Sequence, residues 1–172
     1  MARVVLTAPG PDDEADFLAA MAASRSLHHP WLHPPVTPQA YRAYLDRLGE
    51  RKLGFLARRR EDGAIVGWIN LSEIVRAGFQ NAYVGYGGVA GFAGQGYMTE
   101  ALHLALREAF VAQKLHRVEA NIQPGNTGSI ALAKRCGFEL EGFSPRYLKI
   151  GGRWRDHERY ALRAETWRAR RG

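Results

Sequence analysis

The feature of this sequence that most constrains its fold is a glycine-rich loop between an extended segment and a long amphipathic helix. The loop and the first turns of the helix read GFAGQGYMTEAL over residues 91–102. Glycines let the chain turn sharply with its N–H groups exposed, and the beginning of a helix adds a partial positive charge. We therefore expect an anion site here, of the kind that suits a pyrophosphate.

Two other phosphate-binding loops are excluded by the residues around these glycines. A Walker A loop requires Lys and then Ser or Thr after its last glycine, whereas Tyr97 and Met98 follow here. A dinucleotide fingerprint requires three spaced glycines in a parallel unit near the start of the chain, and the strand before this loop belongs to a series of hairpins. Glycines that only close a tight turn remain the competing interpretation of the loop by itself.

The spacing of apolar residues predicts one mixed α/β domain over residues 1–172. Apolar residues recur at helical spacing before residue 50, and from there to the glycine-rich loop they follow the two-residue period of a strand. The predicted strands cover 4–8, 54–59, 65–74, 82–89, 117–122, 138–150 and 153–162. The predicted helices cover about 14–26, 38–48, 98–113 and 126–135, and the residues after 167 look frayed. The fold class is a single, mostly antiparallel sheet of about seven strands flanked by about four helices.

Composition narrows the classes of function. The chain has 172 residues, 46% of them hydrophobic and 24% charged, which is typical of one globular domain with its own core. No apolar run approaches the roughly 18 residues of a membrane span, and the first residues lack the pattern of a secretory signal. The single cysteine, Cys136, cannot form an internal disulfide or a cysteine zinc site. We expect a cytoplasmic protein with no metal and no membrane partner.

The charge balance points to anionic partners. The formal net charge is +7, which favours nucleic acid, the ribosome or a phosphorylated cofactor. The basic residues are dispersed along the sequence, so a solvated positive surface is an equally good explanation.

A second motif follows the long helix. Residues 123–143 read QPGNTGSIALAKRCGFELEGF, which predicts a helix that begins near Asn126 and then a Cys-Gly-Phe run into a strand. Further on, residues 147–157 read YLKIGGRWRDH. These motifs, in this order and at this spacing, resemble the GNAT superfamily of acyl-CoA-dependent N-acyltransferases. The resemblance extends from the first strand to about Leu162 and is strongest to the branch with the bacterial ribosomal-protein N-terminal acetyltransferases.

The resemblance implies acetyl-CoA as the co-substrate. Backbone N–H groups of the glycine-rich loop would hold the pyrophosphate, and the end of the preceding strand would lie beside the pantetheine arm. Asn126 would hold the amide region of the cofactor, a role that is compatible with an ordinary helix N-cap. The cofactor-binding residues expected on this basis are Gly88, Val89, Gly94, Gln95, Gly96, Tyr97, Met98, Thr99 and Asn126.

The resemblance also bears on proton transfer. Ser129 matches a serine that donates to the leaving thiolate. Where other members carry a carboxylate or an acidic tyrosine, this chain has Asn121, Ala133 and Arg146. Glu119 shares a predicted strand face with Asn121 and is the candidate base for the amine, with an ion pair to an arginine as its alternative role. Other candidate bases in the loop after the first helix are His28, His29 and His33.

The acceptor implied by the resemblance is a primary amine. Its expected contacts are Trp31, Asn121 and Tyr147. The N-terminal amine of a ribosomal protein is the first candidate, and a polyamine, amino sugar or antibiotic is the second. A third alternative, a CoA-binding module that associates with the ribosome or RNA and turns over weakly, fits the positive charge and the missing carboxylates. The ribosome and a second copy of the chain are further candidate partners.

Overall fold

Alternating side chains on seven strands give one sheet with two apolar faces. The computed structural model describes residues 2–171. Within that range the strands are β1 (Val4–Thr7), β2 (Leu53–Arg59), β3 (Ile65–Val75), β4 (Asn81–Gly88), β5 (Arg117–Ile122), β6 (Glu139–Ile150) and β7 (Arg153–Arg163). Their order is β1-β2-β3-β4-β5-β7-β6, and every neighbouring pair is antiparallel except β4 and β5. The predicted fold class is confirmed.

Helices cover both faces of this sheet. Within residues 2–171 they are α1 (Glu14–Ala23), α2 (Arg25–His28), α3 (Pro38–Asp46), α4 (Tyr97–Arg107), α5 (Thr127–Arg135) and α6 (Ala164–Ala169). Leu56 and Ala57 are successive residues of β2 and belong to separate apolar clusters, so the two clusters lie on opposite faces. One cluster includes α4, and the other includes α1 and α3. Among the described residues there is no helix with the length and apolar character that crossing a membrane requires.

The parallel pair β4 and β5 separates along its length. The two strands are paired only over Asn81–Tyr83 and Arg117–Glu119, although β4 continues to Gly88 and β5 to Ile122. Backbone groups beyond the last pair, Tyr83 with Glu119, therefore have no partner across the gap. This separation opens the sheet between its two halves and positions the candidate site.

Two helices differ from their predicted extents for local reasons. The predicted first helix is divided at Ser24, whose buried hydroxyl donates to the Ala20 carbonyl at 2.7 Å and accepts from the Ala90 N–H at 2.9 Å. This hydroxyl ties the end of α1 to the segment after β4. The long helix keeps its α-helical form only to Arg107 and continues as a π-helical turn over Glu108–Ala112.

The end of the chain also differs from the prediction. The sequence predicts fraying after residue 167, whereas α6 continues to Ala169. Trp167 is 8% exposed and its ring centroid lies 5.4 Å from that of Phe110. A six-residue helix is too short to show a periodic pattern in sequence, and its packing on the core stabilises it.

We predict that Trp167→Ala lowers the free energy of unfolding by about 3 kcal/mol, because it leaves a cavity where a large ring packs against the core. Trp154 is 59% exposed on β7, so Trp154→Ala is a matched control that should change this free energy by less than about 0.5 kcal/mol. Urea denaturation measures both. Equal effects of the two substitutions would show that α6 is not docked in solution.

Candidate active site

A cleft of about 750 Å³ lies beside the separation of β4 and β5. Its walls come from the end of β4, the glycine-rich loop, the first turns of α4 and α5, and the residues around α2. All of the predicted cofactor residues except Gln95 line it, namely Gly88, Val89, Gly94, Gly96, Tyr97, Met98, Thr99 and Asn126. Ser129 and Trp31 line the same cleft.

Left-handed glycines shape the loop that begins α4. Gly94 has φ of 73° and Gly96 has φ of 83°, a region in which a residue with a Cβ is strained. Gly96 is the N-cap of α4 and no side chain caps this helix. The first N–H groups of α4 are thus left for a ligand. An anion at this end of the helix would also gain from the helix dipole.

The side chain of Arg3, at the edge of β1, holds this loop in place. Its Nε donates to Glu100 Oε1 at 2.6 Å, and its Nη2 donates to the Gln95 carbonyl at 3.1 Å. The guanidinium also lies 4.5 Å from the ring centroid of Tyr97. Burial alone would raise the pKa of Glu100, but hydrogen bonds from Arg3 lower it overall. No short-range pattern in the sequence connects Arg3 to a loop more than ninety residues away.

Asn126, Ser129 and Tyr86 form a hydrogen-bonded group at the start of α5. Asn126 is the N-cap, and its Oδ1 accepts from the Ser129 N–H at 3.3 Å. The Ser129 hydroxyl donates to the Tyr86 hydroxyl at 3.0 Å, and Tyr86 donates to the Ser129 carbonyl at 3.0 Å. Burial raises the pKa of Tyr86 to about 12, so its hydroxyl keeps its proton at neutral pH. Tyr86 was missed in the sequence, although alternation along β4 places it on the same face as Gly88.

The loop after α2 forms a wall between the cleft and the turn of β6 and β7. The Trp31 indole packs against Gly125, where an added Cβ would lie 2.7 Å from the ring. Gln123 Nε2 donates to the Trp31 carbonyl at 3.4 Å. Further along the loop, a Cβ at Gly151 would lie 2.9 Å from His33 Nε2. The loop therefore touches both the end of β5 and the β6–β7 turn.

The candidate histidines occupy different places. His28 is buried, and its Nε2 lies 2.7 Å from the Gly88 carbonyl oxygen. Because a carbonyl only accepts, this nitrogen carries the proton. His29 and His33 line a second cavity of about 530 Å³ on the far side of His28. Within residues 2–171, no group of three or more His, Cys, Asp or Glu side chains is arranged to hold a metal ion.

Glu119 lies at the last paired position before β4 and β5 separate. Its carboxylate accepts from Arg117 Nε at 3.0 Å, and Arg117 also pairs with Glu141. The pKa of Tyr83 is raised, first by burial, then by the adjacent Tyr147 and by the charge of Glu119. The structure thus brings Glu119 and Tyr147 together around Tyr83, outside the residues that line the cleft. The alternative role predicted for Glu119, an ion pair with an arginine, is present in the structure.

The third predicted acceptor residue, Asn121, is on the same strand face as Glu119. In the sheet it is paired with Arg159 of the neighbouring strand β7. Its Oδ1 is buried without a hydrogen-bond partner among the described residues, and so is Nε of Arg159. Neither residue lines the cleft.

Comparison with known proteins decides the family. Residues 3–139 match the family described as an acetyltransferase (GNAT) domain. The chain belongs to the GNAT acetyltransferase family. The family predicted from the resemblance is therefore confirmed.

Two curated relatives each match about three fifths of the chain. It is 41% identical over 107 residues to the [ribosomal protein uS5]-alanine N-acetyltransferase of Escherichia coli, covering 62% of this chain and 55% of that protein. It is 39% identical over 101 residues to the probable N-acetyltransferase YjcK of Bacillus subtilis, covering 59% of this chain and 56% of that protein. The matched segment thus spans about half the length of these relatives.

Solved structures extend the similarity over nearly the whole fold. Mycobacterium smegmatis RimJ in complex with CoA-disulfide superposes with a TM-score of 0.86 and 30% identity, covering 94% of this chain and 82% of that chain. The ribosomal-protein-S5-alanine acetyltransferase of Vibrio fischeri superposes with a TM-score of 0.84 and 26% identity, covering 97% and 96%.

We predict that Gly96→Val weakens CoA binding at least about tenfold, since a β-branched residue disfavours the left-handed backbone that exposes the loop N–H groups. Gly63 has φ of 74°, has open space where a Cβ would lie, and does not line the cleft. Gly63→Val therefore controls for backbone strain and should leave CoA affinity unchanged while costing comparable stability. Isothermal titration calorimetry gives the affinities, and thermal unfolding gives the stability. A Gly96→Val protein that binds CoA as tightly as the parent would remove the loop from the cofactor site.

Proposed function

We propose that the protein transfers the acetyl group of acetyl-CoA directly to a primary amine, and that this amine is the N-terminus of a ribosomal protein. The observation that carries the proposal is the cleft beside the separated strands, which has an uncapped helix start at one end and Ser129 on its wall. An anion site and a hydroxyl donor in one cleft suit a pyrophosphate and a thioester on one molecule.

The residues present fit the cofactor. The loop around Gly94 and Gly96 would hold the pyrophosphate through backbone N–H groups, and the edge of β4 at Gly88 and Val89 would hold the pantetheine arm. Asn126 would face the amide region. When bound, acetyl-CoA supplies the activated acyl group, and the chain supplies orientation and proton transfer.

Ser129 would assist departure of the thiolate. Its hydroxyl already has an acceptor in Tyr86, which is held in turn by the Ser129 carbonyl. Because Tyr86 stays protonated, its hydroxyl can serve Ser129 as acceptor or donor without adding charge to the cleft. Tyr86 is in this proposal a positioning residue for Ser129.

Glu119 would take the proton of the incoming ammonium, directly or through water. Arg117 Nε holds its carboxylate in place at 3.0 Å, and a carboxylate so positioned can attract an ammonium. Glu119 lies where β4 and β5 separate, opposite Tyr83, and Tyr147 adjoins the same tyrosine. Aromatic faces and a carboxylate are suitable surroundings for a cationic amine.

A covalent route through the cysteine does not fit. Cys136 is the C-cap of α5 and is absent from the cleft wall. Burial raises the pKa of its thiol to about 11, so it holds little of the thiolate that a nucleophile requires. Direct transfer between two bound substrates requires no nucleophile from the cysteine and is the route proposed for this chain.

The names of the relatives support the proposed acceptor. The E. coli relative is an N-acetyltransferase for the alanine of ribosomal protein uS5, and the solved structures include a ribosomal-protein-S5-alanine acetyltransferase. The loop around Trp31, which lines the cleft, and the β6–β7 turn, which approaches that loop at His33, would then contact the acceptor. The net charge of +7 would favour encounter with the ribosome, where the substrate resides.

The acceptor is tested by release of free CoA thiol from acetyl-CoA. A peptide from the N-terminus of a bacterial uS5, beginning with an unblocked alanine, should give a kcat/KM at least about tenfold above that of spermidine, because the loop and hairpin offer contacts beyond the reacting amine. The same peptide with a blocked N-terminus is the control and should release no thiol above background. A preference for spermidine would identify a small-amine enzyme. Tight CoA binding without turnover on any amine would identify a binding module.

The pH dependence of kcat distinguishes the roles proposed for Ser129 and Glu119. Ser129→Ala should lower kcat at least about tenfold at every pH while CoA affinity stays within a few-fold, since its donation strengthens only in the transition state. Glu119→Gln should lower kcat at neutral pH and regain activity as pH rises, because the fraction of free amine grows without a base.

Two outcomes would contradict these assignments. A loss of kcat below about fivefold in Ser129→Ala would show that Ser129 has only a structural role in α5. An unchanged pH–rate profile for Glu119→Gln would exclude Glu119 as the base.

A further inference from the structure

A third depression, rich in arginine and distinct from the cavity beside His29 and His33, continues from the cofactor cleft along the outer side of α4. This basic groove has a volume of about 600 Å³ and is lined by Arg107 of α4, Arg135 of α5, and Arg170 and Arg171 after α6, with His103 among them. Arg135 and Glu100 line both the groove and the cleft. The two depressions are therefore neighbours that share a border.

The groove carries an uncompensated positive charge. None of its four arginines has an ion-pair partner within residues 2–171, and its one lining carboxylate, Glu100, is paired with Arg3. Burial, then Arg171 and Arg170, lower the pKa of His103. Like charges held together in this way favour a bound anion.

Three of the four arginines contact neighbouring parts of the fold, although all four are exposed to solvent. Arg135 Nη1 donates to Thr99 Oγ1 at 3.1 Å. Arg170 packs over the turn at Gly137, where an added Cβ would lie 3.0 Å from its Nε. Arg171 lies 4.7 Å from the ring centroid of Trp167, which is itself buried. The late helix α6 thus presents two of the four cations to the groove.

The position of the groove matches a part of CoA that the glycine-rich loop does not account for. Thr99 lies in the first turn of α4, where the pyrophosphate would bind, and His103 follows about one helical turn further on. CoA carries a phosphomonoester on the ribose 3′ oxygen, one sugar away from its pyrophosphate. Such a group carries about −1.5 to −2 charges at pH 7, and guanidinium groups bind it in a planar, bidentate geometry.

We propose that the basic groove binds the 3′-phosphate of CoA, so that the protein selects CoA over 3′-dephospho-CoA. The inference rests on the proposed acetyl-CoA function and adds a site to it. Arg135 at the border and Arg170 from the chain end are its main ligands. The C-terminal segment thereby takes part in cofactor selection.

Calorimetric titration of the full chain with CoA and with 3′-dephospho-CoA tests the proposal. At low ionic strength the parent should bind CoA at least about tenfold more tightly, and added salt should reduce this ratio. Arg170→Ala should reduce the ratio several-fold by weakening CoA binding alone, with the affinity for 3′-dephospho-CoA unchanged. The double variant with Arg135→Ala and Arg170→Ala should bind CoA and 3′-dephospho-CoA with nearly equal affinity.

Arg168 provides a matched control. It lies on α6, is exposed and does not line the groove, so Arg168→Ala should keep the parental ratio. A second readout is the His103 resonance in a pH titration by NMR. Its pKa should rise on binding of CoA and stay unchanged on binding of 3′-dephospho-CoA, because only CoA places an anion beside the ring.

Each outcome decides a different point. Equal affinity of the parent for the two ligands would overturn the 3′-phosphate site and leave the acetyl-CoA function standing; the groove would then be free for other phosphates, such as those of RNA. A loss of preference in Arg168→Ala equal to that in Arg170→Ala would overturn the site in favour of overall charge. Failure of the parent to bind either ligand would overturn the proposed function itself.

Discussion

The incomplete pairing of β4 with β5 is the constraint on which the rest of the site depends. In an otherwise antiparallel sheet these two strands are parallel, and their pairing stops at Tyr83 and Glu119. Unpaired backbone groups at such a gap need partners, and an extended, amide-containing ligand can supply them. The glycine-rich loop follows directly from one separated strand and α5 from the other. The same gap therefore places the uncapped start of α4 and Ser129 on one cleft.

Long-range contacts arrange the cleft before any ligand binds. Arg3 holds the glycine-rich loop from the edge of the sheet, and Tyr86 holds Ser129 from β4. Pre-arranged donors are the ones that assist a reaction most, because they need not be reoriented as charge develops. The sequence neighbours of the loop and of Ser129 would not provide this rigidity by themselves.

Features set by local patterns were predictable, and features set by distant contacts were not. Alternation and helical spacing identified the strands and the beginnings of α4 and α5, because both periods are properties of short segments. The break at Ser24, the docking of Trp167 and the role of Tyr86 each depend on a partner far along the chain. The resemblance to the family predicted a set of cofactor residues, whereas it predicted no base because Asn121 and Arg146 replace the expected carboxylates.

The contact between His28 and Gly88 has a consequence for how two substrates share this protein. A carbonyl oxygen has two lone pairs, and that of Gly88 already receives the proton of His28 Nε2. A pantetheine amide that donates to the same oxygen must use the second lone pair. Any shift of this oxygen on binding is then transmitted to the ring and to the chain that continues to Trp31. In the proposed function, one atom of β4 would thus link occupancy of the cofactor arm to the loop that would face the amine.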